Sequence, residues 1–267
     1  MTGTAFRLEL RRSRSITTWL TVVLLAYVGS MSLFYPIIAE NTALLEEYME
    51  LFPKEFMVAF GMTGSMADPG VFFSTYVGAW IWPIVAAIAG ILVGTRAVAA
   101  DNDRGFLDLA LATPIPRVRY LVSSIAGQLV VMAVLAVSMV AGVVVVGAVV
   151  NAGFDVGRFM LVIPLAFAFG CAISAVATLL AVLTLSRGIA GGVTAAILLA
   201  MYLVNVVAQI EPAIDWIRPL SAFAYFDTAA AIDRGILDPG AIAVFGAVAA
   251  GAWVAALIGF RRRDLAA

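Results

Sequence analysis

Six charged side chains and two prolines fall within DNDRGFLDLALATPIPRVRY, residues 101–120, of a chain that is otherwise 63% hydrophobic. Residues of these types at this density could do one of three things. They could form an ionisable site inside a membrane, make a plain loop, or offer a handle to something outside the membrane. Asp101 and Asp103 suit a helix amino terminus, where the macrodipole favours negative charge, and Asp103 can act as the cap. RGFLDLALA then continues as a helix to Thr113, where Pro114 stops it. In that helix Phe106, Leu109, Ala110 and Thr113 share a face with Leu107 and Leu111 on its flank, while Arg104 and Asp108 pair at i, i+4. A short helix with one apolar and one charged side suits a groove on a soluble partner. An interfacial helix lying on lipid is the other reading.

Other chemistries have fewer residues to work with. The chain has no histidine, one cysteine (Cys171) and one lysine (Lys54). Histidine-ligated metal sites, Cys/His nucleophile pairs and disulfide frameworks are therefore excluded, and no catalytic residue or metal site is expected. Lys54 lies in LFPKEF, which lacks the glycines of a phosphate loop, so ATP is not bound by this chain in that way.

The elements that must position these residues are membrane spans. The 267-residue length suits one domain, and a mean hydropathy of +1.05 with 12% charged residues lies outside soluble ranges. At ~1.5 Å per residue, about 20 apolar residues cross a hydrocarbon core of about 30 Å. Six such runs are legible: Ile16 to Ala39, Val71 to Thr95, Leu121 to Val150, Phe159 to Leu185, Ile189 to Gln209 and Ala241 to Phe260. The first exceeds a signal-peptide core and is expected to stay as an anchor.

Charge gives the orientation. Twelve basic and five acidic residues fall on the side of the two termini, against four basic and twelve acidic on the other. Arginine excess in short flanks marks the cytoplasmic face, so both termini and residues 101–119 are expected inside. The buried-site reading of the opening stretch falls away. No span holds a central ionisable residue, which disfavours a proton-driven transporter, and no internal repeat is evident.

Residues 1–15, with Arg7, Arg11 and Arg14 on one helical face, read either as a short helix on the inner leaflet or as arginines that only fix orientation. In the outer segment 40–70, Asn41 can cap an amphipathic helix with Leu44, Leu45, Tyr48, Leu51 and Phe52 on one face. The outer segment 211–240 mixes three prolines with aromatic patches and reads as short re-entrant helices before span six, with Trp216 and Tyr225 near the interface. Within the spans, Asn205 and Gln209 at i, i+4 either line a pathway or bond a neighbouring helix. Trp80 and Trp82 lie deep for an interfacial belt and face a cavity, a subunit interface or the core. Gly90 with Gly94, and Gly170 with Ser174, are small-residue pairs suited to close helix contact.

The run from Asp101 to Gln128 resembles the cytoplasmic segment of ABC-2 type permeases, the membrane subunits of ATP-driven exporters. Asp101 and Asp103 match the acidic entry of that pattern, and Arg104, Gly105, Leu107, Asp108, Leu109, Leu111, Thr113, Pro114 and Arg117 fit the remainder. Phe106 replaces the usual threonine, and Ser123 and Ser124 stand where a Gly-Lys pair is common. LSAFAYFD (Leu220 to Asp227) before the last span and the terminal FRRRDL (Phe260 to Leu265) extend the resemblance along the chain. The expected fold is an all-α membrane protein: a single permease domain over 1–267 with six transmembrane helices, an amphipathic amino-terminal helix and a cytoplasmic coupling helix between spans two and three.

The resemblance implies a multi-pass subunit in the cell membrane that moves a lipophilic or amphipathic substrate outward. It implies a separate ABC ATPase in two copies carrying ATP and Mg, a second permease subunit, identical or homologous, and a path between them lined by spans two and five. The coupling residues would be Asp101, Asp103, Arg104, Phe106, Leu107, Asp108 and Leu111; the path or dimer interface would involve Trp80, Trp82, Asn205 and Gln209. Membrane lipids are further partners, and no nucleic acid is expected. A scaffold or sensor recruiting an ATPase is the alternative, and an intramembrane enzyme is disfavoured by the missing histidine and the lack of paired acids within a span.

Overall fold

The computed structural model describes residues 2–43, 47–48, 51–53, 55, 57, 62, 64–100 and 117–262. Among them, six helices are long and apolar enough to cross a membrane. They are α1 (Thr2–Glu40), α2 (Pro69–Gly94), α3 (Arg117–Val149), α4 (Val156–Thr184, with a break at Leu161), α5 (Arg187–Ile210) and α6 (Pro239–Arg262). Each coincides with one of the six apolar runs. In hydrocarbon a helix is the open-chain conformation that satisfies its own backbone, so an uninterrupted apolar run leaves the chain little choice.

The helix α4 is the centre. It has 67% of its apolar window buried, against 17% for α5, and it packs against α2, α3, α5 and α6. Small side chains make this possible: Ala166, Gly170, Ser174, Ala175, Ala177, Thr178 and Ala181 are all buried on it. Gly90 and Gly94 of α2 lie directly against them. A Cβ at Gly94 would stand 2.6 Å from the Ser174 carbonyl oxygen, and one at Gly90 would stand 2.8 Å from Ile173 Cγ2. Gly170 meets Met132 of α3 in the same way, at 2.7 Å from its sulfur. Both small-residue pairs therefore serve close helix contact, where packing without side chains lets dispersion and backbone approach do the work.

A polar knot binds three helices at the same depth. The Gln128 amide oxygen on α3 accepts from Thr178 Oγ1 on α4 at 3.2 Å and from the Trp253 indole on α6 at 3.3 Å. The Thr178 hydroxyl also lies 2.7 Å from the Ser174 carbonyl, so its polar atoms are satisfied without water. Gln128 closes the segment that the sequence singled out, yet its role between helices went unread, because an isolated glutamine in an apolar run has no partner visible along the chain.

Two connections show how local chemistry turns the chain. Asn151 and Gly153 have φ of 52° and 70° in the turn from α3 to α4, and Leu185 has φ of 50° between α4 and α5. A left-handed leucine is unfavourable by roughly 1 kcal/mol or more. It is held because Ser186 immediately caps α5, accepting from the Ile189 amide at 3.5 Å.

One expectation about the flanks changes. The amino-terminal flank is helical but is not a separate surface element: α1 runs unbroken through it, with Glu9 and Ser13 buried and Glu9 packed beside Gly127 of α3. The arginines end the apolar run without breaking the helix, since no glycine or proline occurs between Phe6 and Val28. The Asn41 side-chain amide donates to the Ile37 carbonyl at 2.8 Å at the end of α1, and Thr42 and Ala43 directly after it are helical again. The helix expected between Leu44 and Phe52 lies partly outside the described residues.

Gly94→Ala should cost about 1–3 kcal/mol, because the Ser174 backbone cannot yield to a new methyl group. Gly251→Ala, where a Cβ meets nothing within 4 Å, should be neutral or slightly stabilising; denaturant titration in detergent separates the two. Gln128→Leu should cost about 1 kcal/mol in the same titration and shift the Trp253 emission as its indole loses its partner.

Candidate functional site

The face of α2 turned away from α4 carries Ile84, Ile88 and Ile91, at i, i+4 and i+7. On α5, Leu198, Tyr202, Asn205 and Gln209 lie at i, i+4, i+7 and i+11. These spacings give each helix one continuous stripe. The two stripes line a cavity of about 1090 Å³.

The segment between α5 and α6 closes one end of this cavity. It forms two 3₁₀ helices (Pro212–Leu220 and Ala222–Ala224) and a short α-helix (Thr228–Asp233), in keeping with the short helices expected there. Two buried hydroxyls hold it: Ser221 Oγ donates to the Met201 carbonyl of α5 at 2.7 Å, and Thr228 Oγ1 donates to the Ser74 carbonyl of α2 at 3.2 Å. Phe226 stacks on Phe169 of α4 with centroids 4.6 Å apart, and Phe223 lies 5.5 Å from Tyr202. Trp216 is 75% exposed on its outer side. The segment is thus a roof, tied to both walls and to the central helix.

The α2 wall is irregular where the roof meets it. Ser74–Ile81 forms a π-helix, with the Trp82 amide donating to the Val77 carbonyl five residues back. Such wide turns inside helices occur often at functional sites. Gly78 sits within this one, and a Cβ there would collide with the Thr228 hydroxyl. Pro83, with no N–H to donate, follows directly and also lines the cavity.

The structure divides the candidate residues of the sequence. Trp80, Asn205 and Gln209 all line the cavity. Trp82 does not: it is completely buried in the core, its indole nitrogen without a partner among the described residues. Two positions along a helix place side chains on opposite sides, so the two tryptophans could not share a wall. Gln209 donates to the Asn205 carbonyl of its own helix at 3.1 Å, and Asn205 Oδ1 is buried with no hydrogen-bond partner among the described residues. The bond to a neighbouring helix allowed by the sequence is therefore not what occupies either side chain. The coupling residues Asp101, Asp103, Arg104, Phe106, Leu107, Asp108 and Leu111 lie outside the described residues.

Sequence reasoning missed Arg218, Asp227 and Arg234, which line the cavity from the roof. Asp227 accepts from the Ala230 amide at 2.9 Å and pairs with Arg234 at 3.4 Å. Arg218 Nε is buried and unpartnered among the described residues. Arg218 and Arg234 enter the sequence reading only as charges outside the spans and Asp227 only as the end of LSAFAYFD; nothing in their spacing along the chain signals that the roof folds them over an apolar groove. Among the described residues, no group of three or more His, Cys, Asp or Glu converges to hold a metal ion. The arrangement is suited to holding an apolar body with a polar end, rather than to bond-breaking chemistry.

A comparison with curated proteins finds no match. A family model described as ABC-2 family transporter protein matches residues 6–265. That span includes all six helices, both walls of the cavity and its roof, and the chain belongs to the ABC-2 transporter family, as a multi-pass permease subunit of an ABC transporter in the cell membrane.

Proposed function

We propose that this permease exports a lipophilic or amphipathic compound through the space bordered by α2 and α5, driven by ATP hydrolysed with Mg on a separate ATPase. The observation that carries this reading is the cavity of about 1090 Å³ between those two helices, apolar along its walls and polar at its roofed end. A second permease subunit, the same chain or a homologue, would complete the path, and two ATPase copies would serve the pair.

In this reading the end of the bundle bearing Arg11, Arg12, Arg14, Arg96, Arg119, Arg187, Arg261 and Arg262 faces the cytoplasm. Arg96 supports a linkage there, its guanidinium donating to the Arg12 carbonyl at 2.6 Å and so tying the foot of α2 to α1. Residues 101–119 follow directly and act as the coupling segment, with Asp101, Asp103, Arg104, Phe106, Leu107, Asp108 and Leu111 engaging the ATPase. A pull on that segment would reach the cavity wall through the short π-helix Arg96–Ala100, the turn at Thr95 and then α2, which runs up to the π-helical turn under the roof. Hydrolysis moves the permease only if the ATPase binds its two states with different affinity.

The test is co-expression with a candidate cassette ATPase, followed by reconstitution. Asp103→Arg or Arg104→Glu should lower co-purified ATPase roughly tenfold, about 1.4 kcal/mol of coupling, while the permease keeps its thermal stability. Unchanged co-purification together with unchanged ATP-dependent transport would remove the lever role. An ATPase that binds wild type without driving any substrate movement would favour a scaffold.

A further inference from the structure

We propose that the roofed end of the cavity is a headgroup site for an anionic amphiphile, with the acid group on Arg218, a hydrogen-bond donor of the ligand on Asn205, and the apolar body between α2 and α5. The inference rests on the permease reading above for what is carried, but the binding site itself follows from charge and hydrogen bonding.

Three charged side chains line the cavity, and they do not cancel. Asp227 is engaged by Arg234 at 3.4 Å and by the Ala230 amide at 2.9 Å, so its charge is already answered. Arg218 has no ion pair or hydrogen bond to its guanidinium among the described residues, and its Nε is shut off from solvent. The residue is partly exposed, so the guanidinium is open to a ligand, and a carboxylate, phosphate or sulfate can engage it with two parallel hydrogen bonds.

Asn205 supplies the second anchor. Its Oδ1 is likewise buried and unpartnered, and it lies on the same cavity's α5 wall. It stands on α5 one turn from Met201, whose carbonyl receives the roof's Ser221 hydroxyl. The cavity thus holds two buried polar atoms without partners among the described residues, one a cationic donor and one an acceptor. Both are answered by one ligand with an acid and a neighbouring hydroxyl or amide N–H. Below them the wall is Ile84, Ile88, Ile91 and Leu198, with Trp80 beside the π-helical turn, which suits an acyl or aromatic body. A cationic amphiphile would face Arg218 with no free carboxylate to offset it, since Asp227 is paired.

The experiment measures binding on the purified permease in nanodiscs of neutral phosphatidylcholine, without the ATPase. The probe is dansyl-undecanoic acid, read by energy transfer from tryptophan, against its methyl ester, which keeps the apolar body and loses the charge. Wild type should bind the acid at least tenfold tighter than the ester. Arg218→Gln should bring the two within about twofold, with an unchanged thermal unfolding curve showing that the variant is folded; Arg218→Lys should restore part of the preference. Adding phosphatidylglycerol to the discs separates the sources of the same anion. Competition identifies a bilayer lipid headgroup on Arg218, and indifference identifies a soluble acid; either result upholds the site.

Equal binding of acid and ester by wild type, or an acid preference that survives Arg218→Gln, overturns the inference. So does loss of both probes because a second copy of the chain covers the cavity. Acid preference intact with no ATP-driven transport by the reconstituted complex would sink the export reading and leave this site standing.

Discussion

The approach of α2 to α4 through Gly90 and Gly94 is the contact on which the rest of the structure depends. It commits one face of α2, with Val85, Ala86, Ala89 and Val93, to the core. The opposite face, with Ile84 and Ile88 exposed and Ile91 beside Gly191 of α5, becomes a cavity wall. In lipid there is no hydrophobic drive to pull helices together, so such contacts rest on shape. A leucine in place of either glycine would be as apolar and would fit nowhere.

Polar groups then act as fasteners where shape alone would leave freedom. Gln128 fixes α3, α4 and α6 relative to one another, while Ser221 and Thr228 fix the roof to α5 and α2. The difference between the two sets matters for the proposed transport. The Gln128 knot lies in the core and holds the central helices, whereas the roof is tied to the cavity walls by two hydroxyls donating to main-chain carbonyls. Each such bond contributes on the order of 1 kcal/mol. Phe226, stacked on Phe169, adds a tie from the roof to α4, so opening the roof in the proposed cycle has to break all three, while the core knot keeps the remaining helices together.

Much of the fold was legible because the bilayer is a simple solvent. An uninterrupted apolar run of about 20 residues has few other solutions, so all six helices fall where composition places them. Their neighbours were less legible. The small-residue pairs announced close contacts without saying with which helix; Gly94 finds Ser174 and Gly170 finds Met132 only in three dimensions. Trp80 and Trp82 looked alike in sequence, yet a spacing of two on a helix sends one to the cavity and the other into the core. Arg218 was the least visible of all. Its significance comes from what it does not touch, and no sequence pattern records an absent partner.

In the proposed mechanism α2, α5 and the roof enclose the transported ligand. Photolabelling with a diazirine-bearing fatty acid, followed by peptide mapping of the reconstituted permease, tests it most directly. Labels concentrated on Trp80 to Leu92 and on Ala195 to Gln209, and displaced by excess unlabelled acid, are the predicted result. Labels spread evenly over the lipid-facing sides of α1 and α6, with no displacement, would contradict it.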